Sequence, residues 1–186
     1  MATILVIIAI ISALIFFGVS AHKTALLVAK TRMQFIEYEV AIVSYCREYG
    51  DLPPFFGNEE VVYLGEGKNS EMFVKILSGR NPSGTPLSDD DKKNLNPKGK
   101  SFHTFNANEF LLLPDGTRDT SVIADAFNNK NICIIVEDPF DKDIVISKEK
   151  FPEAVRKRVR GSGVNNAVAI FSISEDGNTV ISNCLD

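Results

Sequence analysis

The sequence predicts an α+β fold in which one long N-terminal helix packs on a small C-terminal antiparallel β-sheet. Three observations predict it. Residues 2–21 are almost wholly apolar, residues 23–49 contain neither proline nor glycine, and beyond Pro54 short strand-like runs alternate with turn residues. At 186 residues, one anchored domain is the natural expectation and a second compact domain is not.

The first element is the run ATILVIIAIISALIFFGVSA, uncharged until His22 and Lys23. About 20 helical residues at 1.5 Å rise match the hydrocarbon core of a bilayer. Three readings compete for it. A cleaved secretory signal would place basic residues first and use a shorter apolar core with a small-residue cleavage site. A simple anchor fits the hydrophobicity alone. A helix that continues past the membrane accounts for the hydrophobicity and also for the pattern of residues 23–49.

That continuation runs to Tyr49, where Gly50-Asp51-Leu52-Pro53-Pro54 supplies the first strong set of breakers. Within it Ala29, Met33, Ile36, Val40 and Val43 recur at three- and four-residue steps. A neighbouring stripe of Phe35, Tyr38, Ile42, Tyr45 and Tyr49 is expected to widen the same apolar face. Lys30, Arg32, Gln34, Glu37, Arg47 and Glu48 take much of the remaining surface. One helix from about Thr3 to Tyr49 would be roughly 70 Å long, apolar all round in its first half and amphipathic in its second.

A short helix is expected through Met72–Leu77, capped by Asn69 or Ser70 and ended by Gly79. Residues 80–100, rich in Pro, Gly, Asn, Ser and Asp, read as a long surface loop in which Ser88 caps one further turn. Strands are expected at 110–113, 132–136, 143–146, 167–173 and 179–182. The basic stretch 148–160, interleaved with Glu149 and Glu153, reads as a short solvated helix.

With a net charge of −4 and no clustered basic face, a nucleic-acid partner is not expected. The two histidines, His22 and His103, stand apart, and no Gly-x-Ser-x-Gly elbow, P-loop or dinucleotide glycine pattern is present. No enzyme and no required cofactor are therefore expected. Cys46, Cys133 and Cys184 lack zinc-site spacing. Cys133 and Cys184 could pair in an oxidising compartment, or all three could be buried thiols acting as small hydrophobes. Asp138-Pro139-Phe140-Asp141-Lys142-Asp143, with Glu149 eleven residues after Asp138, has the length of an EF-hand loop. Phe140 and Lys142 occupy ligand positions and Asp143 replaces the turn glycine, which argues against an authentic one.

The apolar run, the amphipathic half and the Tyr49-Gly50-Asp51-Leu52-Pro53 ending resemble the N-terminal helix of type IV pilins and type II secretion pseudopilins. TILVIIAIISAL is similar to the family's apolar core, and YCREYGDLPP resembles the helix-ending stretch of the major pseudopilin. Asp125-Ala126-Phe127-Asn128-Asn129 resembles the turn that opens the family's first sheet strands, and 169–177 resembles its tail element. One departure is plain: family members carry a basic leader, a cleaved glycine and an early glutamate, whereas this sequence reads Met1-Ala2-Thr3, with Thr3 where the glutamate would lie. The resemblance implies a pilin-like fold: a transmembrane half at 1–21, an amphipathic half at 22–50, and a globular domain at 51–186 with a variable loop at 79–109. It implies a filament subunit of a pilus or pseudopilus, held in the inner membrane with its domain in the periplasm, or exported in an extracellular filament. Its partners would be copies of itself or other pilin-like subunits, together with the pilus or secretion assembly machinery. Lys23, Lys30 and Arg32 after the run would place that side in the cytoplasm by the positive-inside rule, opposite to the family's orientation. The resemblance further implies a structural Ca2+ held by Asp138, Asp141, Asp143, Glu175 and Asp176, against a plain acidic turn as the competing reading. The alternative function is a monomeric, single-pass envelope protein whose soluble domain binds a ligand or partner.

Overall fold

The computed structural model describes residues 2–56, 61–140, 144–177 and 179–185, with side chains described from His22 onward. The elements run in order: helix α1 (Ala2–Tyr49), a 3-10 turn at Pro54–Phe56, strand β1 (Val62–Tyr63), helix α2 (Asn69–Ser78) and helix α3 (Asp89–Leu95). A second 3-10 turn (Ala107–Glu109) leads into β2 (Phe110–Leu112), β3 (Arg118–Ile123) and β4 (Ile132–Val136). Then come β5 (Ile146–Ser147), a 3-10 turn (Lys148–Lys150), α4 (Glu153–Arg156), β6 (Gly163–Val164), β7 (Val168–Ile173) and β8 (Val180–Ser182). The fold is α+β, as the sequence predicts, with an N-terminal helix on a small antiparallel sheet.

The 48-residue α1 stops where glycine becomes available for the left-handed cap: Gly50 has φ 76° and its N–H donates to the Cys46 carbonyl at 2.8 Å. The main sheet has the order β1-β4-β7-β8, and every neighbouring pair is antiparallel. Its central strands are buried on both faces, which explains why they read as continuous apolar runs. On one face Ile132, Ile134, Val168 and Ile170 join the core formed by Phe35, Tyr38 and Ile42 of α1 and by Phe73 and Leu77 of α2. On the other, Cys133, Ile135, Ala169 and Phe171 pack on Ile146, Phe151, Val155 and Val159. The stretch 148–160 is therefore not one solvated helix: it breaks at Pro152 and turns Phe151, Val155 and Val159 onto the sheet, while most of its charged side chains stay in water. At Gly163 in the β5–β6 pair, an added Cβ would sit 2.3 Å from the Ile146 carbonyl oxygen, so the close strand approach requires glycine.

Other expectations are corrected by tertiary contacts. Asn69 and Ser70 do not cap α2 from outside; both lie in its first turn. Asn69 Nδ2 donates to the Tyr63 carbonyl (2.9 Å), and Ser70 Oγ donates to the Leu64 carbonyl (2.8 Å) while accepting from the Ile123 N–H (2.9 Å). Gly79 (φ 66°) ends the helix and Ser88 caps α3 by accepting from Asp91 N–H, both as expected. The stretch 80–100 is a surface loop carrying one short helix, as expected, and it is pinned at Asn96, which is fully buried. Its amide donates to the Ile76 and Lys100 carbonyls (2.9 and 2.7 Å) and its oxygen accepts from Tyr49 Oη (2.6 Å). The expected strand at 143–146 begins only at Ile146, and Asp143 lies outside the described residues.

Candidate functional site

The two stripes of α1 do not form one broad face. At 100° per residue they lie on opposite sides of the helix. Thr31, Gln34, Phe35, Tyr38, Ala41, Ile42, Tyr45 and Cys46 are buried against the domain. Leu26, Met33, Ile36 and Val40 are 55, 56, 41 and 59% exposed, with Ala29 exposed between them and Val43 half-buried. Sequence periodicity could not separate the stripes, since both are apolar at helical spacing. The exposed one repeats at alternating three- and four-residue steps over 26–43, the spacing of a coiled-coil seam. A row of this kind, unlike scattered apolar residues, makes a candidate contact surface. Among the residues whose side chains are described, no helix is long and apolar enough to cross a membrane. The side chains of the run 2–21, on which the anchor expectation rests, lie outside them.

Polar groups join the buried face of α1 to the domain. Gln34 Nε2 donates to the Ala124 carbonyl (3.0 Å) and to Tyr38 Oη (2.9 Å), and Tyr38 Oη donates to Glu109 Oε2 (2.8 Å). His103 Nε2 lies 2.9 Å from the same Glu109 oxygen, while the other carboxylate oxygen accepts from the Asn106 N–H (2.8 Å). Tyr38 stands edge-on to Phe73 and His103, at 5.2 and 5.1 Å between ring centres. Burial, then the neighbouring Glu109 charge, pushes the Tyr38 phenol well above its usual range. Burial alone would raise the Glu109 carboxyl, but the hydrogen bonds from His103, Asn106 and Tyr38 outweigh it and hold the group below its usual 4.5. With both oxygens already accepting, Glu109 has the surroundings of a structural carboxylate rather than a general base.

That depressed carboxyl makes the fold acid-sensitive. A group lowered on folding contributes stability above its unfolded pKa, and the contribution is lost as pH falls through the folded value. We therefore expect Glu109→Gln to lose about 1–3 kcal/mol at pH 7, with the gap to the native chain closing below about pH 4. Denaturation curves of both proteins from pH 7 to 3 check this, and a gap independent of pH would contradict it. Glu48, clamped by Lys100 and Lys98, is lowered to about 2, but it stands in solvent and salt will screen its contribution.

The described residues among those that the resemblance implies for calcium do not converge. Asp138 follows β4, whereas Glu175 and Asp176 follow β7, and β4 and β7 are antiparallel. The two groups therefore stand at opposite ends of the ladder, separated by at least the length of β7, roughly 20 Å. Asp138 instead accepts from the Phe140 N–H (2.9 Å) within its own turn, and Asp176 accepts from Ser174 Oγ. Asp141 and Asp143 lie outside the described residues. No group of three or more His, Cys, Asp or Glu side chains able to hold a metal occurs among the described residues.

All three thiols are free. Cys133 faces Phe171 and Phe171 faces Ser182, so β7 separates Cys133 from the strand that ends just before Cys184. Cys133 and Ser182 are thus two strand spacings apart, roughly 10 Å, and Cys184, two residues further on, packs on the same cluster as Cys133 without being bonded to it. Burial pushes Cys46 up to about 11 and Cys133 up to about 12, so both stay protonated and unreactive at neutral pH.

Asp125 is buried in its turn and accepts from the N–H groups of Phe127 (2.8 Å) and Asn129 (3.0 Å). The Ala126 N–H donates to Thr31 Oγ1 on α1 (3.3 Å), and Asn128 adopts the left-handed conformation at φ 63°. The turn thus locks the start of β4 onto the helix. Beside it lies a groove of about 710 Å³ lined by the apolar Val28, Phe127 and Ile181 and by the polar Asn131, Glu175 and Thr179. Glu109, Asn96 and Asn183 were not singled out from the sequence. Only Glu109 carried a signal, the Asn106-x-x-Glu109 spacing of a capping box.

These features define an α+β protein built on a long N-terminal helix, with a fully bonded polar bridge on one side of that helix and an unpartnered apolar seam on the other. No protein-family model, curated protein or solved structure matches the chain.

Proposed function

We propose that this chain is a non-enzymatic, membrane-anchored filament subunit of the type IV pilin and type II secretion pseudopilin kind. It sits in the inner membrane as a single-pass protein with its domain in the periplasm, and joins copies of itself or other pilin-like subunits through α1. The observation that carries this reading is the exposed seam of α1, left uncovered by the domain and continuous in sequence with the apolar run 2–21. A plain anchor needs apolar residues only within the membrane, whereas the seam continues for about 25 Å beyond the run, from Leu26 to Val43. The mechanism is packing: apolar helix faces meet their neighbours, and binding comes from buried apolar area. The groove beside Asp125 favours the second reading, an envelope protein that binds a ligand or partner.

The test uses full-length protein in cells carrying the assembly machinery. Ile10→Lys places a charge in the apolar run and should abolish incorporation into filaments. Met33→Glu with Val40→Glu should also abolish it while leaving the melting temperature of the domain nearly unchanged, because both side chains are exposed. Native filament yield from the seam variant, or from a chain whose apolar run has been scrambled with leucine, overturns the filament reading in favour of the monomeric one.

A further inference from the structure

The seam of α1 carries a charge pattern that selects its occupant. With Leu26, Met33 and Val40 at the first apolar position of each heptad and Ala29, Ile36 and Val43 at the fourth, the flanking positions fall on Lys30 and Glu37 on one side and on Arg32 and Glu39 on the other. Lys30, Arg32 and Glu37 are exposed, while Glu39 is half-buried and accepts from Asn183 Nδ2 at 2.7 Å.

In a parallel pair of helices, the residue before a first apolar position meets the residue five further on in the other copy. In register, Arg32 of each copy then faces Glu37 of the other, so the two-fold symmetry makes the contact twice. A slide of one heptad brings Arg32 against Lys30 and Glu39 against Glu37, two like-charge contacts. An antiparallel arrangement is closed to two copies whose N-terminal runs share one membrane, a step that rests on the anchored reading above. The buried face of α1 lies about half a turn from the seam, and on the Lys30 and Glu37 side Ala29, Lys30, Met33 and Glu37 line a groove of about 510 Å³ together with Asn106, Leu112 and Arg118 of the domain.

We infer that two copies of this chain pair in the membrane, parallel and in register, along Leu26–Val43, with Arg32 of each bridged to Glu37 of the other. The pair is a pre-assembly form, distinct from the filament contact, and its chemistry is a short coiled coil selected by charge. The apolar seam supplies attraction and the flanking charges set the register.

The experiment is thiol crosslinking of the full-length chain in its membrane, in a Cys184→Ser background so that the half-buried native thiol does not report. Met33→Cys, Ile36→Cys and Val40→Cys should each give a homodimer on mild oxidation, and Lys93→Cys, exposed on α3, should not. Arg32→Glu and Glu37→Arg should each lower the Ile36→Cys yield roughly threefold, since like charges then face across the pair. The double variant Arg32→Glu/Glu37→Arg should restore it, an outcome that damage to folding would not produce. If same-position thiols stay unlinked while Ala29→Cys joins Ile36→Cys in a mixture of the two variants, the contact is staggered. That result overturns the in-register pair and leaves the filament reading standing. If no combination links, both are overturned.

Discussion

Replacing Tyr38 by alanine should destabilise the folded chain by about 4–5 kcal/mol, lowering its melting temperature by roughly 10 °C or more. The ring is fully buried against Phe73, His103 and Phe105, so its removal leaves a cavity that the surrounding aromatic rings cannot close without shifting. Its hydroxyl also donates to Glu109 and accepts from Gln34, so the same change leaves a buried carboxylate one donor short and the Gln34 amide one acceptor short. Tyr38→Phe separates the two contributions. It keeps the ring and should cost only about 1–3 kcal/mol. Denaturant unfolding of the full-length chain in detergent, followed by far-UV circular dichroism, measures both. Equal losses for the two variants would mean that the hydroxyl, and not the packing, ties α1 to the domain.

Phe171→Ala should cost about 3–5 kcal/mol through a different route. Phe171 is the central residue of β7, pairs with Cys133 and Ser182 on either side, and packs on Phe151 with ring centres 5.9 Å apart. It faces away from α1, so its loss weakens the layer formed by β5, β6 and α4 rather than the helix contact. Amide exchange should therefore rise first in 146–164, while the Gln34–Tyr38–Glu109 bridge stays protected. Uniform loss of protection along α1 as well would show that the two faces of the sheet unfold as one unit.

The two variants probe opposite faces of one sheet, and the strands that carry them were the most legible part of the fold. β4, β7 and β8 fall where the apolar runs at 132–136, 167–173 and 179–182 predict them, because the central strands are buried on both faces and need apolar residues at nearly every position. β3 was missed for the converse reason. Its residues Arg118-Asp119-Thr120-Ser121 sit largely in solvent on a two-stranded hairpin, where nothing demands an apolar pattern. β1 and β6 are two-residue strands that exist through their partners and carry no local signal, whereas the apolar run before β5 (Ile146–Ser147) predicts a strand that is formed only at its end.

The candidate sites divide along the same line. Asp138, Glu175 and Asp176 were one set only through the resemblance. Asp138 follows β4 and Glu175 and Asp176 follow β7, and the antiparallel pairing of these two strands puts them at opposite ends of the ladder. Glu109 and His103 stand six residues apart in a segment that read as loop, and became a buried pair only when Tyr38 of α1 was laid across them.

By itself the sequence determined the long helix, its apolar start, its end at Gly50 and the two-sided strands of the sheet, since each depends on local spacing, hydropathy and the conformational freedom of glycine. Only the tertiary structure decided which of the two apolar stripes on α1 is core. A helix with apolar residues on opposite sides presents two equal candidates to any test of periodicity. The domain covers the stripe whose Gln34, Tyr38 and Tyr45 can also satisfy polar groups across the contact, and leaves the aliphatic stripe of Leu26, Met33, Ile36 and Val40 exposed.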